Sequence, residues 1–254
     1  MGYELIELSE VDSTNNHAKQ LESLPPGITV IIAQTQTAGR GRLARTWDSA
    51  PGLGLWATIV FETDAPREHM STLTFVAANA VTSLLRKTHR VPAEIKWPND
   101  VLVGGKKICG ILTESMSAQT ALTRFVIGIG LNIAHLATDF SAEINATSMR
   151  IELAISEAKS LNERLSPRII LSELMDFFEP ELGLFLQEIK TSGESPSIIS
   201  HWLEHNATIG ATVTFEYDGA LKTGQAVGVT PQGMLIVNTA DGAFVNVGSG
   251  EVWG

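Results

Sequence analysis

The sequence contains a single cysteine, Cys109, so an intrachain disulfide is excluded. That fits a reducing compartment, and the expected location is the cytoplasm. No apolar run reaches the roughly 18 residues that a membrane-spanning helix needs, so no membrane association is expected. The opening Met1-Gly2-Tyr3-Glu4-Leu5-Ile6 lacks the basic region, long apolar stretch and small-residue cleavage site of a secretory signal. Positive charge is scarce as well: 18 Lys and Arg stand against 28 Asp and Glu, a net charge of −10. An acidic surface repels phosphate backbones, so nucleic-acid binding would require a local basic patch. No helix-turn-helix pattern precedes the first strand, and none would fit before Ser13. No nucleic-acid partner is expected. Internal repeats and low-complexity tracts are missing too.

What remains is an ordinary globular composition, 44% hydrophobic and 18% charged over 254 residues, long enough for one large domain or a domain plus a small one. Tyr3 to Leu8 alternates as a strand. Thr14 to Leu24 reads as a helix, with Asp12 or Ser13 as N-cap and Pro25-Pro26-Gly27 as terminator. Ile28 to Ala33 is a buried strand, Gln34 to Gly54 a long glycine-rich loop, and Leu55 to Phe61 another strand. Arg67 to Lys87 carries a helical apolar face. Short strands flank the Pro98-Asn99-Asp100 turn, Gly104-Gly105 turns into a strand from Lys107 to Glu114, and Leu122 to Ile133 is the next strand. Helices are expected over Pro167 to Ile189 and Pro196 to His205. From Thr212 to Val252, β-branched residues alternate with turns at Asp218-Gly219, Gln232-Gly233 and Asp241-Gly242, the pattern of a small antiparallel barrel or sandwich. The fold class is α+β, with a main domain over 1–206 and a small all-β domain over 207–254.

The strongest chemical signal is Gly39-Arg40-Gly41-Arg42-Leu43-Ala44-Arg45-Thr46-Trp47. Glycines let a backbone approach a ligand closely. Arginines supply permanently charged forks that match carboxylate and phosphate oxygens. A solvated surface loop is the plain alternative, but Trp47 beside three cations suits a site that closes over a heterocycle. The loop is neither a Walker phosphate loop, which needs a lysine and a hydroxyl residue after its last glycine, nor a dinucleotide fingerprint.

Four further segments bear polar groups in telling places. Lys96-Trp97-Pro98-Asn99-Asp100 makes a turn in which Asn99 and Asp100 can bond their own backbone. Asp100 would alternatively accept a proton from an amine, and Asn99 would hold a nucleotide. In Lys107-Ile108-Cys109-Gly110-Ile111-Leu112, strand alternation puts Lys107, Cys109 and Ile111 on one face. Lys107 would snorkel to water, or serve as a second cation for an acyl-phosphate transition state. Cys109 reads as a small core residue, since nothing nearby would activate a thiolate. Gly128 and Gly130, in Ile127-Gly128-Ile129-Gly130-Leu131-Asn132, weaken a strand unless something packs close, and Asn132 offers a donor and an acceptor suited to an adenine edge. Ser13-Thr14-Asn15 would cap a helix or bond the ureido group of a bicyclic ligand; Gln36 is placed to do the same.

Taken in order, these segments resemble the bacterial biotin–protein ligase family, and the likeness extends to Ala146-Thr147-Ser148 and to Gly250-Glu251-Val252 near the C-terminus. The resemblance implies a catalytic domain like that of class II aminoacyl-tRNA synthetases followed by an SH3-like barrel. It implies synthesis of biotinyl-5'-AMP from biotin and ATP, with magnesium accompanying ATP, and transfer to a lysine of a biotin carboxyl carrier protein. By the same resemblance, Ser13, Thr14, Asn15, Gln36, Gly39, Arg40, Gly41, Arg42, Lys107 and Gly110 would contact biotin. Arg42, Arg45, Trp47, Asn99, Lys107 and Asn132 would contact ATP. Lys107, Arg42, Arg40 and Asp100 are the candidate catalytic residues, and no metal ligands are evident. The N-terminal DNA-binding domain of longer members is expected to be lacking, and their repressor role with it; a homodimer through edge strands is a family expectation. A lipoate or octanoate ligase or transferase and a non-catalytic biotin sensor are the competing readings.

Overall fold

The computed structural model describes residues 2–118, 121–141, 143–155 and 164–248. Seven strands form one mixed sheet: β1 (Tyr3–Val11), β2 (Ile28–Gln36), β3 (Gly54–Thr63), β4 (Ala93–Lys96), β5 (Asp100–Val103), β6 (Lys106–Ser117) and β7 (Thr123–Asn132). Their order is β1-β2-β3-β7-β6-β5-β4, with β1 and β2 parallel and the other neighbours antiparallel. Parallel pairing of β1 with β2 demands a crossover, which helix α1 (Thr14–Gln20) provides.

The two faces of the sheet are covered unequally. Val30, Ile59 and Ile127 face the main core with α2 (Met70–Ser83) and, beyond the one-turn α3 (Met149–Glu152), α4 (Pro167–Ser192); α5 (Pro196–Glu204) packs on α2 and α4. Ile31, Val60 and Val126 alternate to the opposite face and meet only Ala18 of α1 in a small cluster, fringed by Leu21 and Leu24. The short helix therefore leaves much of that face open for other use.

Expected and observed elements differ at informative places. The Arg67 to Lys87 segment divides into a 3-10 turn over Arg67–His69, α2, and a π-helical turn over Leu84–Thr88. Helix α1 stops at Gln20, short of the expected Leu24, because Leu21 is extended and its carbonyl and that of Ala18 are taken by Arg124. Ser13 stands at the N-cap, but no side chain of its own caps the helix; the Thr14 amide instead donates to Gln36 Oε1 at 2.8 Å. For that contact β2 must run on to Gln36, past the expected end at Ala33.

A second sheet, four-stranded and antiparallel, comprises β8 (Thr212–Tyr217), β9 (Ala220–Val229), β10 (Leu235–Thr239) and β11 (Phe244–Val247) in the order β11-β10-β9-β8. The expected turns hold left-handed residues at Asp218, Gly219, Gly233 and Gly242. Gly250, Glu251 and Val252 lie outside the described residues. Val213, Phe215 and Leu235 of this sheet belong to the same apolar cluster as the main core. No helix among the described residues is long and apolar enough to cross a membrane.

Trp97 ties the two sheets together. It is 2% exposed; its amide donates to Thr208 Oγ1 at 2.8 Å and its indole Nε1 to the Gly233 carbonyl at 3.0 Å. Trp97→Phe removes the indole donor and leaves that carbonyl without it, at a cost of about 1–3 kcal/mol. Urea unfolding should show the loss, and an unchanged midpoint would refute this contact as a stabilising link.

Candidate active site

The open face of the sheet holds a trough because its central strands carry glycine there. Gly110 of β6 pairs directly with Gly130 of β7, and Leu112 pairs with Gly128. The register between these strands is regular, so the glycines mark close approach and not a bulge. A Cβ on Gly128 would stand 2.5 Å from Asn15 Oδ1. On Gly130 or Gly110 it would stand 2.5 or 2.7 Å from the Trp47 ring. Any larger residue would evict one of these side chains.

Ser13, Thr14, Asn15, Gln36, Arg40, Gly41, Arg42, Arg45, Trp47, Asn99, Asp100, Lys107 and Gly110 line one cavity of about 140 Å³ in this trough. Four separate stretches of chain thus meet, and the two cations expected to converge, Arg42 and Lys107, lie on the same cavity.

The arginines sit on a hairpin closed by hydrogen bonds from Trp47 N to Gly39 O and from Gly41 N to Arg45 O. Its tip, Leu43-Ala44, has φ of 53° and 59°, and Leu43 is exposed. Two consecutive left-handed non-glycine residues cost roughly 1–2 kcal/mol each, which favours a tip that rearranges when a ligand supplies new contacts. Arg42 Nη1 donates to Asn99 Oδ1 at 3.2 Å, while Asn99 Nδ2 donates to the Ile111 carbonyl at 2.6 Å. Asn99 thus joins the arginine loop to β6 instead of bonding its own turn as the sequence suggests.

Lys107 reaches the cavity through an irregularity that alternation does not foresee. Val101 pairs with Cys109 but Leu102 with Lys107, so Ile108 is an extra residue, a bulge in β6. The phase shift moves Lys107 off the Cys109 face and onto the face of Gly110, where a Cβ would lie 3.1 Å from Lys107 Cε. The expectation that Lys107, Cys109 and Ile111 share a face is therefore wrong for Lys107. Its backbone is clamped on the other edge: Lys107 N donates to Asn145 O and Thr147 N to Lys107 O. Lys107 Nζ lies 2.7 Å from Asp100 Oδ1 and 5.0 Å from the centroid of Trp47.

The opposite end of the cavity is a connected polar network. Gln36 Oε1 accepts from the Thr14 amide and hydroxyl, and Gln36 Nε2 donates to Ser49 Oγ at 2.7 Å. Thr58 Oγ1 lies 2.8 Å from Thr14 Oγ1 and 2.6 Å from Asn15 Oδ1. Asn15 Nδ2 donates to Leu112 O and to Glu114 Oε2. Burial alone would raise the Glu114 carboxyl, but hydrogen bonds from Asn15 and Lys19 and the charges of Lys19 and Arg40 outweigh it and hold it below the usual carboxylate value.

Two expected site residues lie off the cavity. Gly39 sits at the loop base, where a Cβ would collide with the Trp47 carbonyl at 2.3 Å. Asn132 is buried and donates to the Thr147 carbonyl at 3.0 Å, so it braces the segment that clamps Lys107. Cys109 is fully buried on the helical side, where burial pushes its thiol pKa up, as expected of a core residue. Thr58 and Glu114 were missed. Glu114 was legible in principle: it shares its period with Gly110 and Leu112, so it had to project onto the glycine face.

Residues 7–132 match the Biotin/lipoate A/B protein ligase family, and residues 208–253 match the Biotin protein ligase C terminal domain. The Bifunctional ligase/repressor BirA of Bacillus subtilis is 31% identical over 244 residues, covering 95% of this chain and 71% of that protein. The Biotin--[acetyl-CoA-carboxylase] ligase of Paracoccus denitrificans is 30% identical over 240 residues, covering 94% of this chain and 95% of that protein. The biotin protein ligase from Aquifex aeolicus, solved in complex with biotin and ATP, superposes with a TM-score of 0.75 at 26% identity, covering 98% of this chain and 97% of that one. With the Bacillus relative covered over 71% of its length and the Paracoccus relative over 95%, at 31% and 30% identity, the chain belongs to the biotin protein ligase family.

Proposed function

We infer that this chain is an ATP-dependent biotin–protein ligase that forms biotinyl-5'-AMP and passes the biotinyl group to a lysine of a biotin carboxyl carrier protein. The observation that carries the reading is the meeting of Arg42 and Lys107 on one cavity whose far end is lined by Thr14, Asn15 and Gln36. The Paracoccus relative is named for acetyl-CoA carboxylase, which supports a carrier domain as acceptor. Residues 207–254 would form a separate SH3-like unit.

A carboxylate is a poor acyl donor because oxide is a poor leaving group. In the first half-reaction a biotin carboxylate oxygen attacks the α-phosphorus of ATP in line, the bond to pyrophosphate breaks, and a mixed anhydride forms. Charge accumulates on phosphoryl oxygens, so preorganised cations lower the barrier. Lys107 and Arg42 fill that role, with Asp100 and Asn99 holding them in place beforehand. Ser13, Thr14, Asn15 and Gln36 receive the ureido head, their orientation fixed by the network beneath them. Gly41 and Gly110 let backbone close on the ligand. Arg45 and Trp47 face the nucleotide, while Asn132 acts from behind by bracing Lys107. Magnesium would enter with ATP, carried on the phosphates of the substrate.

In the second half-reaction the acceptor amine attacks the acyl carbon, AMP leaves, and the amine sheds a proton. Asp100 is the carboxylate on the cavity available to orient that amine once Lys107 turns to the phosphate. The arginine hairpin, closing over the anhydride, keeps water out.

Biotin-dependent exchange of labelled pyrophosphate into ATP tests the function; exchange driven by lipoate or octanoate alone would overturn it, as would its absence, which fits a sensor. Lys107→Ala should slow adenylate formation in single turnover by about 100-fold. Arg42→Ala should speed adenylate dissociation; release at the parent rate would refute its placement. Cys109→Ala should cost about 1 kcal/mol of stability and leave adenylation unchanged. A folded Cys109→Ala protein without chemistry would restore the thiol-transferase alternative.

A further inference from the structure

Of the three arginines on the hairpin, Arg40 is set apart by its partners. Its Nη1 donates to Asn16 Oδ1 at 3.0 Å and lies 3.2 Å from Glu114 Oε1. The same carboxylate accepts from Lys19 Nζ at 3.0 Å and from Asn15 Nδ2 at 3.0 Å. Three donors from two elements, helix α1 and the hairpin base, therefore converge on one side chain of β6. Glu114 does not itself line the cavity.

We propose that Glu114 is a positioning residue that moors the base of the arginine hairpin to helix α1, so that the ureido-binding groups and the hairpin that covers the acid are set by one carboxylate. Arg40 then serves as the moored end and not as a cation for the reacting phosphate. Motion on ligand entry is confined to the segment beyond Gly41, where the left-handed Leu43-Ala44 tip lies. The chemistry favours this division. Arg40 faces a fixed anion, a charge-assisted contact that sets the hairpin base firmly. Glu114 lies against two cations, Arg40 and Lys19, so one carboxylate anchors both elements.

This inference rests on the ligase reading for its ligand, but its first test needs no ligand. Trypsin cleavage after Arg42 and Arg45 is followed in the free protein, for the parent, Glu114→Gln, Arg40→Gln and the double variant. Each single substitution should speed cleavage at these two bonds by about tenfold, and the double variant should cleave no faster than either single one. Glu114→Gln keeps the size and the acceptor for Asn15, and Arg40 is partly exposed, so Arg40→Gln tests the mooring even where Glu114→Gln folds poorly. The second readout is the dissociation rate of biotinyl-5'-AMP, which should rise by about tenfold in both variants while single-turnover adenylation by Glu114→Gln at saturating biotin and ATP changes less than threefold. Unchanged cleavage, additive effects in the double variant, or a 100-fold loss in adenylation by Glu114→Gln would overturn the proposal. Failure of the parent protein to make adenylate would sink the ligase reading and leave the cleavage test standing.

Discussion

Close approach of side chains to bare strand backbone is the constraint on which the site depends. Gly110, Gly128 and Gly130 clear one face of β6 and β7, and Asn15 and Trp47 come down into the cleared space. Glycine weakens a strand, since it adds backbone entropy and packs nothing. The sheet bears that cost because its other face is buried under α2 and α4, where Ile111, Ile127 and Ile129 pack at nearly zero exposure. A single sheet thus has a stabilising side and a binding side, and α1 is short enough to leave the binding side open.

Charge is arranged on the same principle of local compensation. In a chain of net charge −10, a cluster of arginines and lysines needs anions or amides nearby to hold the cations in position. Lys107 stands against Asp100, Arg42 against Asn99, and Arg40 with Lys19 against Glu114. These partners fix the cations before any ligand arrives, so little reorganisation is left for the reaction itself. At the hairpin base the Arg40 contact with a carboxylate is charge-assisted and correspondingly firm.

Much of this was legible in the residues, and the errors have definite causes. The β-rich end, the turns at Asp218-Gly219, Gln232-Gly233 and Asp241-Gly242, and the arginine loop after a buried strand follow from periodicity and turn chemistry. Lys107 was assigned to the wrong face because strict alternation assumes an unbroken ladder, and one extra residue at Ile108 inverts the phase. Helix α1 ends four residues short of the expected Leu24 because its end is set by Arg124, more than a hundred residues away along the chain. Glu114 escaped notice because its partners, Asn15 and Arg40, lie 99 and 74 residues distant.

The sequence by itself determined the kinds of groups at the site: guanidinium and ammonium cations, an indole, side-chain amides and the glycines that make room for them. Composition and short spacing suffice for that, since residue type and local backbone freedom are properties of neighbouring residues. Only the tertiary structure decided which cation meets which carboxylate, which face Lys107 occupies and that Gln36 caps the helix beginning at Thr14. Those outcomes depend on strand register and on hydrogen bonds between distant segments, and neither is encoded in any local stretch of the chain.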